Sequence, residues 1–278
     1  MVHERAFSVG VHGIFATRIC TEPATASALA ALLTDPRWPW LMNRYEFDTL
    51  APKKKLQQHD KALTKATGTT RLAQGFLAPG RSALHLMCSP TPDEVRATCV
   101  ISTGRELHPQ CATPYKVRIT QRATVWPEHA SLPAWLEVVH SVVATCRVSC
   151  GVIAGWPSFD LARSDSAMGG NASAEEQLPA DYVVENAAVN PYKVTQLGGD
   201  MVGPPRWGTY LAQSWVDRIG GRAAIEAAAA PHAIRDIGGD VVFIQLTEAI
   251  ESSQSAECEQ KRLAFRELMR PILPPGIP

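Results

Sequence analysis

The sequence predicts an α+β fold, with mixed, largely antiparallel sheets flanked by helices. Three observations predict it. Strand-like runs come in adjacent pairs joined by turn residues, as at 82–102 and 232–247. Helical runs are interspersed without a regular strand–helix–strand alternation. No internal repeat recurs at a fixed period. The chain has 278 residues, 45% hydrophobic and 19% charged, which suits one globular unit with its own core. A single domain over 1–278 is expected. The alternative division is into lobes 1–156 and 190–278 joined by an acidic loop region.

Taken in order, residues 6–19 alternate apolar and small positions and read as a strand or hairpin. Residues 24–35 read as a helix, ended by Pro36. From Leu50 to Arg71 the chain is basic: Lys53, Lys54, Lys55, Lys61, Lys65 and Arg71 face only Asp60. "SALHLMC" and "EVRATCVIS" read as two strands about the turn "SPTPD". Residues 115–125 form a further alternating strand. Residues 131–146 read as a helix with Ser131 as N-cap, and 148–156 as a buried strand.

Residues 157–190 are irregular and acidic, with Asp160, Asp165, Glu175, Glu176, Asp181 and Glu185 opposed only by Arg163. "GPPRWGTYLAQSWVDRIGG" (203–221) follows. Trp207, Leu211, Trp215 and Ile219 recur at steps of four, with Tyr210 beside them, so the stretch predicts one amphipathic helix stopped by Gly220 and Gly221. Its stripe reads as core, with a partner face as the alternative. A second short helix ends at Pro231. Residues 232–247 read as two strands about a Gly-Gly-Asp turn, and 256–269 as a closing helix.

Composition narrows the function classes. Lys plus Arg and Asp plus Glu each number 27, which disfavours general nucleic-acid binding. No run approaches the roughly 18 apolar residues of a membrane span. The start, "MVHERAFSVGVHG", lacks the apolar core of an export signal, so a cytoplasmic location is expected. The seven scattered cysteines then read as reduced thiols, and the Asn171 sequon carries no weight.

Chemical motifs are absent. The chain has no glycine-rich phosphate fingerprint and no GxSxG elbow. Cys146 and Cys150 lack a second ligand pair and read as buried structural thiols rather than a zinc site. His12, His85 and His140 are dispersed and read as structural or surface histidines. Glu175 and Glu176 could be catalytic acids, but adjacent loop carboxylates more often face water. No catalytic residue, cofactor or metal ligand is nominated. A hydrolase or transferase whose site assembles only in three dimensions stands as the alternative.

The last 80 residues or so carry a resemblance. Trp207, Tyr210 and Leu211 fit a W-x-x-[YF]-L segment, and Gly220 and Gly221 follow its helix. Gly238 and Gly239 lead a strand with Gln245 as a further matching position, and Leu268 and Pro271 are matched to the Leu-x-Pro ending that follows the terminal helix. This pattern resembles the type VI secretion immunity proteins associated with VRR-NUC, restriction-endonuclease-like nuclease toxins. Trp207, Tyr210, Leu211, Trp215, Gly220, Gly221, Gly238 and Gly239 would then be fold-signature residues without a catalytic role. The chain departs from the pattern at 247–260, "TEAIESSQSAECEQ", which is longer and acidic.

The resemblance implies an antidote that neutralises a cognate secreted toxin, with no direct contact to nucleic acid or membrane. A nuclease presents a basic groove, which acidic side chains can fill. Glu175, Glu176, Asp181, Glu185, Glu248 and Glu251 are the candidate partner-binding residues, and Glu257 and Glu259 extend the second run.

Overall fold

A computed structural model describes residues 7–15, 22–35, 44–49, 61–62, 68–77, 81–88, 97–102, 116–123, 132–156 and 202–273. Among these residues ten strands join in one sheet: β1 (Phe7–Phe15), β2 (Arg44–Thr49), β3 (Lys61–Ala62), β4 (Arg81–Cys88), β5 (Ala97–Ser102), β6 (Lys116–Ala123), β7 (Val148–Trp156), β8 (Gly208–Ala212), β9 (Ala233–Gly238) and β10 (Val241–Gln245). Their order is β3-β2-β4-β5-β6-β1-β7-β8-β10-β9, and every described pairing is antiparallel. The α+β class and the antiparallel character agree with the sequence reading.

Helices cover this sheet. α1 (Pro23–Leu33) buries Ala26, Leu29, Ala30 and Leu33, the i, i+3, i+4, i+7 stripe of an amphipathic helix. Pro23 suits its first turn, where no amide hydrogen bond is lost. α2 (Gly68–Leu77) buries Leu72 and Phe76 one turn apart and packs on α1. α3 (Leu132–Thr145) buries Trp135, Val138, Val139, Val142 and Val143, and also packs on α1.

The strands of the C-terminal third are covered on both faces. Tyr210 stands opposite Phe243, and Phe243 opposite Arg235, so these three share a face. His140 of α3 lies against Tyr210 and Phe243 on that face. Val242 stands opposite Leu211 and Asp236 on the other face. There Asp236 forms an ion pair with Arg222 of α5 (Gly221–Ala229). α4 (Gln213–Arg218) and α6 (Ala256–Met269) pack on α5.

One sequence expectation is overturned. Trp207 to Ile219 is not a single helix. Gly208–Ala212 is strand β8, and helix begins only at Gln213. A spacing of four residues keeps side chains on one face of a strand as well as near one stripe of a helix. Pairing decides between them: β8 is laddered to β7 on one side and β10 on the other. The core assignment holds nonetheless, since Trp207 is 2% exposed and Trp215 8%, with Tyr210, Leu211 and Ile219 buried.

Other elements follow the reading closely. α6 spans 256–269 as expected, and Ser255 caps it by accepting the Cys258 amide at 3.2 Å. Within 6–19 the described residues, 7–15, form strand β1 in the middle of the sheet. β2, β3 and α2 had no sequence expectation. Lys53, Lys54, Lys55 and Lys65 lie outside the described residues; Arg71 is exposed on α2.

The Gly-Gly-Asp turn is built as expected. Gly239 (φ 63°) and Asp240 (φ 59°) both take positive φ, the two-residue type I′ pattern whose twist matches a hairpin. Gly239 is also fixed by contact. A Cβ there would stand 2.3 Å from the Ala144 carbonyl oxygen, so the hairpin tip docks backbone to backbone on the end of α3.

Candidate functional site

The described candidates gather at one end of the sheet. β7 runs out at Trp156, β10 at Gln245, and β8 enters at Gly208, which stands opposite both Ile153 and Gln245. The connections 157–207 and 246–255 therefore leave or rejoin the sheet at the same end. Glu175, Glu176, Asp181 and Glu185 belong to the first connection and lie outside the described residues. Glu248 and Glu251 belong to the second.

That second connection is held from beneath. The buried Gln245 side chain donates through Nε2 to the carbonyls of Thr247 (2.9 Å) and Glu248 (2.8 Å). The Leu246 amide donates to the Trp207 carbonyl at 2.9 Å. A short 3₁₀ turn, Ile250–Gln254, follows. Ser253 Oγ and Gln254 Nε2 donate to the Gly155 carbonyl at 2.9 and 3.1 Å, while Ile250 is buried. A Cβ on Gly155 would meet Ile250 Cγ1 at 2.9 Å and Ser253 Oγ at 3.0 Å, so glycine there lets the turn sit directly on β7.

Glu248 and Glu251 face outward from this held segment and are exposed. Neither has an ion pair with a described residue. Glu257 and Glu259 differ. Glu257 pairs with Lys261 at 2.9 Å, and Glu259 makes a bidentate contact of 2.8 Å with the buried Arg262. These two carboxylates are engaged within α6, so among the described residues the unpaired acidic side chains at this end are Glu248 and Glu251. Lys261 also donates to the Leu246 carbonyl at 3.3 Å, tying α6 to the same connection.

The apolar signature residues are core rather than surface. Trp207, Tyr210, Leu211 and Trp215 are buried, and Arg218 lies over the Trp215 ring at 4.6 Å. Gly220, Gly221, Gly238 and Gly239 all have positive φ and set the turns around α5 and the hairpin.

The sequence did not single out the buried polar pair behind these strands. His140 Nδ1 lies 3.0 Å from the Tyr210 hydroxyl, and Nε2 finds no hydrogen-bond partner among the described residues. Burial, and then the charge of Arg235, lower the His140 pKa to about 4, so the ring is neutral. Burial, and then Glu137, push the Tyr210 hydroxyl well above its ordinary value. The signal was the apolar run on either side of His140 in α3. Cys146, Cys150 and Cys258 are buried thiols outside any disulfide among the described residues, as the thiol reading had it for the first two. Among the described residues no three His, Cys, Asp or Glu side chains cluster as metal ligands, and no helix is long and apolar enough to cross a membrane.

No family model matches the chain, and no curated protein does. Among solved structures, it is similar to one described as the Pseudomonas aeruginosa T6SS protein PA0821. The TM-score is 0.55 at 11% identity, over 96% of this chain and 73% of that one. The likeness is one of fold.

Proposed function

We propose that this chain is an immunity protein that binds and neutralises a cognate nuclease effector of a type VI secretion system, in the cytoplasm of the producing cell. The fold likeness to a type VI secretion protein over nearly the whole chain carries the reading. It joins the signature around Trp207, Tyr210, Gly238 and Gly239, which pointed to the same system from sequence. On this reading the protein acts by contact rather than by catalysis, with no cofactor, and touches neither nucleic acid nor membrane.

Glu248 and Glu251 are the described part of the proposed contact surface. Glu175, Glu176, Asp181 and Glu185 belong to the neighbouring connection and complete the proposal. Carboxylates held on a pinned turn suit a basic nuclease groove: charge complementarity speeds encounter, and a preformed turn loses little conformational entropy on binding.

The test is co-expression with the product of the adjacent gene, as the proposed toxin, together with a pull-down of the two purified proteins. Rescue of growth and a stable complex are expected. A folded, expressed protein that neither rescues nor binds would end the proposal.

A further inference from the structure

We draw no further inference here: the strongest candidate, the outer edge of β9 with exposed Arg235 beside the Arg222-paired Asp236, carries nothing because no described residue shows what covers that edge, and a two-fold antiparallel pairing of two copies centred there would set Arg235 against Arg235 or Asp236 against Asp236.

Discussion

His140 on α3 and Tyr210 on β8 are joined by a 3.0 Å hydrogen bond between buried groups. The contact ties the helical layer to the sheet through a neutral imidazole. Because the folded pKa, about 4, lies below the usual 6.5, the unfolded chain takes up a proton first as pH falls. Stability from this group is complete above about pH 6.5 and is lost between there and pH 4. The linked loss is about 3 kcal/mol. Urea unfolding of the wild type and His140→Gln across this range should show a shallower pH dependence in the variant. Parallel curves would remove His140 as the cause.

Gly239 and Gly221 offer a matched pair. Both have positive φ, but an added Cβ meets the Ala144 backbone at Gly239 and nothing within 4 Å at Gly221. Gly221→Ala should cost about 1 kcal/mol, the left-handed penalty alone. Gly239→Ala should cost about 3 kcal/mol, since the hairpin tip must also move off α3. Equal melting temperatures for the two variants would contradict the close approach.

Ala230 ends α5 with φ 40° and ψ 56°, a left-handed cap occupied by a residue with a Cβ. It is exposed, so nothing is lost in packing. Ala230→Gly should raise stability by up to about 1 kcal/mol. A lowered midpoint in denaturant would show that the cap is not strained.

Trp207→Ala should destabilise by roughly 3–5 kcal/mol, and Trp215→Ala by an amount at the lower end of that range, because its ring lies beneath an exposed arginine. Thermal unfolding measures both. If either variant kept its melting temperature and lost the partner, that ring would be a contact residue and not core.

Glu248→Gln with Glu251→Gln should leave stability within about 0.5 kcal/mol per site. If the proposed toxin binds at this turn, its association should slow, and the dependence on salt should flatten. Glu259→Gln should behave differently, costing about 2 kcal/mol of stability because it weakens a charged hydrogen-bond pair to buried Arg262. Stopped-flow association at two salt concentrations, beside unfolding curves, separates the two. Unchanged on-rates in the double variant would exclude this turn as the contact.

Local chemistry made much of the C-terminal third legible. The run at 256–269 read as a helix, though its Ser255 cap was not read, and Gly238, Gly239 and Asp240 marked the hairpin. β8 was not legible, because Trp207 and Leu211 at a spacing of four satisfy both strand and helix, and only the ladders to β7 and β10 choose. The exposure of Glu248 and Glu251 could be read from their polarity. Their support could not: Gln245 reaching forward to two carbonyls, and Gly155 receiving Ser253 from about a hundred positions away, are long-range facts. His140 was hidden for the same reason, since its partner, Tyr210, lies in a distant segment.

The central place of β1 has a consequence for biosynthesis. Ser8 pairs with Trp156 on one side and Arg122 on the other, so the strand emerges from the ribosome long before either partner exists. At ordinary elongation rates the wait is on the order of ten seconds or more. Through that interval an alternating, pairing-competent strand has both edges open, and the large sequence separation makes closing the sheet intrinsically slow. Nascent chains stalled before residue 148 should therefore be more prone to aggregate and more dependent on chaperones than chains released after β7 has emerged.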